Sequence, residues 1–366
     1  MNKEGKFGTF EMVTLATPGL CAKILYTSTS SAVKEVGTFA WFMTIISCIT
    51  AIIFFDLTCV LLSRFPGEDI FSVYERVWGK FIGKLVAILY SAFLVFYCAS
   101  NSREFLEMIK SYNLPDTPSS IIIGSLIAVS ALICYKGIEN ISRLSYIIFY
   151  LLLIGTSIIL ALAIPYYNFN YIKPYLGYGL GKTVYIGFLR SSAYQEVMTL
   201  AVIVKSSHNL KDLRKAGLIS LIITGVFFSI TMFLYVSAFG YMLAGENVSG
   251  IFQLSTTIYY NRYFQRIEAI FLFIWVLVSI INTSLSLYMA VTIYCKGFNI
   301  KEHTRLILPF CFLVYMGSLI PNNFSEVIDI NMRIIRQYSF GMPLVFPALT
   351  LLISIILKKK AEKNNV

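Results

Sequence analysis

Met12-Val-Thr-Leu-Ala-Thr-Pro-Gly-Leu-Cys-Ala-Lys-Ile-Leu-Tyr26 is an apolar stretch with a proline–glycine step at its centre. A second stretch repeats the pattern: Val184-Tyr-Ile-Gly-Phe-Leu-Arg-Ser-Ser-Ala-Tyr-Gln-Glu-Val-Met-Thr-Leu-Ala-Val-Ile203, with Gly187, Arg190 and Ser191-Ser192 at its middle. About ten runs of roughly 20 apolar residues, the length a bilayer span needs, occupy the chain: 9–26, 37–62, 81–109, 119–135, 143–164, 184–205, 216–240, 267–295, 305–321 and 341–358. A break in mid-span is tolerated only where the freed backbone groups face protein or a wet cavity. Matching breaks in two halves of a chain point to a transporter-type site at the bilayer midplane.

Composition agrees. Hydrophobic residues make up 57% of the chain and charged ones 13%, with a mean hydropathy of +0.73, against about 25% charged in a soluble domain. Residues 1–366 therefore read as one polytopic membrane domain. Met1 to Glu11 is polar, and the apolar stretch after it has no small-residue cleavage site, so it reads as a span and not as a secretory signal. The net charge of +11 sits on short loops, which excludes nucleic acid as the natural partner. The seven cysteines contain no CxxC pair and read as reduced packing residues. His208 and His303 lie in charged loops without a nucleophile or metal pattern. Enzyme chemistry, metal and cofactor are not expected.

With the N-terminus inside, 19 basic residues fall on the inner face, 8 on the outer (Arg333 and Arg336 among them) and 3 within spans. This asymmetry puts both termini in the cytoplasm. Five spans precede residue 170 and five follow it. Halves of odd number insert in opposite directions, which gives a 5+5 inverted repeat (9–164 and 184–358) with the interrupted span first in each. The tyrosine-rich link 165–182 suits an interfacial belt, and Gly250 to Tyr260 suits a short amphipathic helix.

Charged residues inside spans are functional candidates. Arg190 and Glu196 flank the sixth-span break, which would let both face one cavity. Lys23 either snorkels or lines the site, and Asp56 pairs within the bundle, in a structural or an ion-coupling role. Arg103 and Glu107 are one turn apart and suit a local ion pair. In the eighth span Trp275, Ser279, Asn282 and Ser286 share one helix face.

On Gly5-Lys6-Phe-Gly-Thr-Phe-Glu-Met leading into the first span, Ala193-Tyr-Gln-Glu196 in the sixth and Arg266-Ile-Glu-Ala-Ile-Phe-Leu-Phe-Ile-Trp275 in the eighth, the chain resembles the spore germination permease family. These are the B subunits of GerA-type nutrient germinant receptors, relatives of the amino acid–polyamine–organocation transporters. Thr17-Pro18-Gly19 departs from the Gly-Thr-Gly run of many relatives. The resemblance implies a LeuT-like all-α fold, a place in the inner membrane of a bacterial spore, A-type and C-type receptor subunits as partners, and a small nutrient, usually an amino acid, as ligand. Anionic lipid is expected at the tail Lys358-Lys-Lys.

A helix ending at the first break would offer carbonyls to an ammonium, and one restarting at Gly19-Leu20-Cys21 would offer N–H groups to a carboxylate. The expected ligand-binding residues are Thr17, Pro18, Gly19, Leu20 and Cys21 from the first break, and Gly187, Arg190, Ser191 and Glu196 from the sixth. Tyr97 and Asn101 of the third span, with Trp275 and Ser279 of the eighth, complete the set. Germinant sensing and proton- or cation-coupled amino acid transport both use such a site. The topology has a direct test: Asn209→Cys should be shielded from an impermeant thiol reagent added outside, and Asn247→Cys should react. The opposite labelling would invert the orientation.

Overall fold

An apolar chain in a bilayer must satisfy its backbone within the segment, and helices do so. The protein, described here from a computed structural model, is predominantly helical over residues 6–261, 266–321 and 323–360, the residues the structure describes. Lys3, Gly5, Arg262, Lys363 and the end of the basic tail lie outside them. Among the described residues the only β pairing is a single bridge between Phe7 and Ser207.

In chain order, α1 (Thr9–Leu25) and α2 (Ser28–Val36) lead through a 3-10 turn into α3 (Ala40–Arg64). The short α4 (Ile70–Trp78) precedes α5 (Lys80–Tyr112), α6 (Ser119–Tyr135) and α7 (Ile138–Leu162). The sixth segment is α8 (Leu180–Leu189), a 3-10 run over Arg190–Met198 and α9 (Thr199–Val202). Then come α10 (Leu210–Glu246), the short outer-loop helix α11 (Gly250–Thr257), α12 (Glu268–Phe298) and α13 (Thr304–Leu319). The last segment is α14 (Phe324–Asp329), a π-helical run over Ile330–Tyr338, a 3-10 turn and α15 (Val345–Ile356).

Among the described residues six helical runs are long and apolar enough to cross a membrane, and Ser119–Tyr135 and Thr304–Leu319 are shorter apolar helices. The expected ten would need these two and the interrupted first and sixth segments as well.

Three sequence expectations change. The first segment is not broken at Pro18-Gly19: α1 runs through both, and the interruption falls at Tyr26-Thr27. Pro18 removes one N–H from the ladder, but packing on all sides holds the helix, since every residue from Met12 to Leu25 is buried. The sixth segment leaves regular helix at Arg190, inside the expected interval, but stays tightly wound to Met198. Runs of 3-10 helix beyond about four residues are uncommon and often mark a hinge. The tenth segment starts near Phe324, not residue 341, so Arg336 belongs inside the bundle and not on the outer face.

Helix α1 sits at the centre, against α7, α10 and α12, while α12 lies along α5 and α3 along α10. At one end of the bundle, Asp69 caps α4 through Phe71 and Ser72 and pairs with Lys205 at 2.9 Å. Burial opposes ionisation of this carboxyl, but Lys296, Lys205 and the Ser72 amide outweigh it and hold the pKa below the usual carboxylate range. Its stabilising effect is present at neutral pH and is lost as pH falls through that lowered value.

Close approach of α3 and α10 needs small residues, as between membrane helices generally. A Cβ on Gly217 would lie 2.1 Å from a ring carbon of Phe55, and one on Gly225 2.4 Å from the Cys48 sulfur. Gly217→Ala should therefore destabilise the fold by about 1–3 kcal/mol, read as a fall in melting temperature. Adding Phe55→Leu should recover part of the loss. An unchanged melting temperature for Gly217→Ala would show that this contact is not tight.

Candidate functional site

The site is built where α1, the 3-10 run of the sixth segment, α5 and α12 meet. Glu196 lies in the 3-10 run and is 6% exposed. Its Oε2 is 2.5 Å from Nζ of Lys23, itself buried on α1. Lys23 also donates to the carbonyl of Ala193, and the Tyr97 hydroxyl of α5 donates to Oε1 of Glu196. Asn101 and Asn282 flank that hydroxyl. The missing side chain of Gly19 leaves room beside the group: a Cβ there would lie 3.6 Å from Asn282 Oδ1 and 3.9 Å from Glu196 Cβ. Asn282 Oδ1 is buried without a hydrogen-bond partner among the described residues. Buried polar atoms are rarely left so.

A second layer lies one helical turn further along α1. Tyr26 donates to Ser279 Oγ at 2.8 Å and packs edge-on to Trp275, with ring centroids 5.8 Å apart. Trp275 Nε1 has no partner among the described residues. At the interruption itself, Glu104 Oε1 accepts from the Thr27 amide at 3.0 Å and from its hydroxyl. Its Oε2 accepts from Arg336 at 3.0 Å and from Asn331 at 2.9 Å. Arg336 also donates to Ser28 Oγ, and its carbonyl accepts from Ser192 Oγ at 2.5 Å. Glu104 and Arg336 side chains are 0% and 3% exposed, so each depends on the other.

Arg190 closes the far end. Its Nε donates to Glu35 at 2.8 Å and its terminal nitrogen to Ser31 at 2.6 Å, both on α2. Gln337 donates to the same Glu35 carboxylate. Arg190 thus pairs with Glu35 on α2, and does not face one cavity with Glu196.

Of the expected residues, Gly19, Tyr97, Asn101 and Glu196 come together, and Trp275 and Ser279 sit in the layer above. Ser191 is buried with an unpartnered hydroxyl among the described residues. The others are placed elsewhere. Thr17 bonds back to the Val13 carbonyl at 2.7 Å, and Cys21 reaches Thr224 of α10 at 3.5 Å. Pro18 and Leu20 are packed inside the continuous α1. The helix-end cradle expected over these residues is not formed, because their backbone stays helical. Gly187 packs against α3, where a Cβ would lie 2.9 Å from Ile46. Arg103 pairs with Glu107 at 2.7 Å, as expected, whereas Asp56 pairs with Arg214 at 2.6 Å at the bundle's surface and not within it.

Asn331, Arg336 and Gln337 were missed, because they interrupt the apolar run and read as loop. The signal present was Val327, Ile330, Ile334 and Ile335, apolar at helical spacing.

A sequence model of the family described as "Spore germination protein" matches residues 8–327. The chain is similar to spore germination protein KB of Bacillus subtilis (strain 168), 23% identical over 334 residues and 90% of each chain. It is also similar to spore germination protein A2 of that organism, 19% identical, with 99% of this chain and 97% of the relative covered. Among solved structures it resembles MhsT in complex with L-phenylalanine, with a TM-score of 0.64 at 14% identity over 98% of this chain and 91% of that one. It resembles equally a closed conformation of Mhp1, a nucleobase-cation-symport-1 family transporter with bromovinylhydantoin bound: TM-score 0.64, 12% identity, 96% and 90% covered. The fold is thus that of LeuT-like transporters, as the sequence led one to expect.

Arg336→Met should lower folded stability by about 3–5 kcal/mol, since it strands the Glu104 charge in the core. Combining Arg336→Met with Glu104→Gln should cost clearly less than the sum of the single changes, by about 1 kcal/mol or more. Additive losses in thermal unfolding would show that the two side chains do not depend on one another.

Proposed function

The chain belongs to the spore germination protein family, and on that premise we propose that it is the ligand-sensing membrane subunit of a nutrient germinant receptor. The ligand is a small nutrient with an ammonium and a carboxylate, an α-amino acid being the best match. It binds within the bilayer between the first and sixth segments. A- and C-type receptor subunits are its partners, and the spore inner membrane, with both termini cytoplasmic, is its location. What is established more broadly is a multi-pass integral membrane protein of transporter or receptor type.

The observation that carries this reading is the buried Lys23–Glu196 pair facing Gly19 and the unpartnered Asn282 Oδ1. The pair sets an amine beside a carboxyl group. An amino acid is its complement: the ammonium suits Glu196 and Asn282 Oδ1, the carboxylate suits Lys23. Ligand binding exchanges one internal ion pair for two, with the backbone of Gly19 alongside and the segments parting to admit the ligand. Lys23 lies on α1 and Glu196 on the 3-10 run, so the exchange changes the attraction between these two segments. A ligand that binds one arrangement better shifts the population toward it, and the partner subunits read the shift. The binding contacts proposed are side chains rather than the ends of broken helices.

The second reading, proton- or cation-coupled amino acid transport, rests on the likeness of the fold to transporters, one of them described as a Na+-coupled sialic acid symporter. Uptake into vesicles separates the two: sustained, gradient-driven accumulation of an amino acid would replace sensing by transport.

Gly19→Val and Glu196→Gln should raise the nutrient concentration needed for germination by about tenfold to a hundredfold. That is the scale of losing one hydrogen bond to a charged group, about 1.5–3 kcal/mol. Glu246→Gln should have no effect, since Glu246 pairs with Lys34 in solvent, with side chains 72% and 67% exposed. Membrane levels, read by immunoblot, should hold for Gly19→Val. An ordinary response from both site variants would remove this cluster from ligand binding.

A further inference from the structure

Where α3 ends and α10 begins, the bundle opens into a cavity of about 650 Å³, within the roughly 300–1,000 Å³ typical of small-molecule sites. It lies apart from the Lys23–Glu196 cluster and shares no lining residue with it. Its walls differ in chemistry. One is apolar, formed by Val60, Leu62 and Leu210. Val60 is 39% exposed, near the end of the membrane-length helix α3. The other carries Lys205, Lys211 and Arg214, with His208 beside them.

Among the residues that line it, three cations meet one acid, and two of those cations are paired with carboxylates just outside the lining. Glu68, the acidic residue of the lining, is held by Arg76 at 2.7 Å. Lys205 shares Asp69, and Arg214 holds Asp56, yet both cations stay about half exposed, at 54% and 51%. Lys211 makes no hydrogen bond or ion pair among the described residues. The cavity also lies at the start of α10, which runs regularly to a kink at Gly240 and whose first turn contributes partial positive charge. Asp212, bonded to Asn209, offsets part of it.

The geometry points to a binding site for an anionic phospholipid: its phosphate headgroup sits among Lys205, Lys211 and Arg214, and an acyl chain runs along the exposed Val60. A free phosphate would match the cations but leave the apolar wall uncovered. A zwitterionic lipid would cover that wall but leave Lys211 without a net counter-charge. The site spans the joint between the sixth segment and α10, so a bound lipid braces the element that carries Glu196.

Native mass spectrometry of the full chain, released from mixed phosphatidylglycerol–phosphatidylcholine membranes, tests this. Phosphatidylglycerol should be retained over phosphatidylcholine by about tenfold or more, as cations at a membrane surface would give. Lys211→Gln, which strands no partner, should reduce the preference, and Lys205→Gln/Lys211→Gln should abolish it. Lys84→Gln, exposed on α5 outside the cavity, should preserve it. Glycerol 3-phosphate should not displace the lipid. Equal retention of the two lipids by the unaltered chain, or an undiminished preference in both Lys211 variants, would overturn the proposal. Displacement by glycerol 3-phosphate would overturn it in favour of a soluble-anion site. None of these readouts depends on the nutrient, so the central site stands or falls separately.

Discussion

A carboxylate with no exposed surface can remain in a membrane bundle only if donors surround it, and Glu104 has four. The Thr27 amide and hydroxyl reach one oxygen, and Asn331 and Arg336 reach the other. Thr27 is at the interruption of the first segment, and Asn331 and Arg336 belong to the π-helical run of the tenth. Through the Arg336 carbonyl the same group takes in Ser192 of the sixth segment. One anion thus satisfies an amide freed by one helix end and fixes where three irregular segments lie. Removing the charge from such a group while its partner stays charged is costly, because the interior cannot solvate what remains.

The Lys23–Glu196 pair uses the same physics with a different outcome. Glu104 is fully enclosed and heavily bonded. Glu196 adjoins Gly19 and the unpartnered Asn282 oxygen, so its surroundings are less complete. A network in which every member is satisfied is rigid, whereas one with open valences is where a ligand gains most. The layer around Glu104 is in this sense the frame and the layer around Glu196 the site. The 3-10 winding of Arg190–Met198 carries both Ser192 and Glu196 and so joins them mechanically.

Much of this was readable in the chain. Apolar runs of bilayer length, with charged residues confined to a few places, dictated an all-helical membrane bundle, because lipid offers the backbone no other partner. Arg190, Ser191-Ser192 and Glu196 marked the irregular sixth segment, since regular lipid-facing helix has no use for them. Trp275, Ser279 and Asn282 on α12 followed from helical spacing, and Tyr97 and Asn101 on α5 were expected to line the same site.

What the residues could not specify was which partner each would take. Pro18-Gly19 has the local chemistry of a break, but α1 is enclosed on every side, and packing keeps it helical until Tyr26. Arg190 and Glu196 flank the same break and could have faced one cavity. Only the placement of α2 gave Arg190 its partner Glu35 and left Glu196 to Lys23. Arg336 read as an outer-loop cation because its own segment looks polar, and only the position of Glu104 on α5 makes it a core residue. Composition and periodicity act over one or two helical turns, so the sequence by itself determined that the chain spans a membrane as helices and which residues are too polar to face lipid. Pairing between groups far apart in the chain depends on how the segments pack, and tertiary structure decided that.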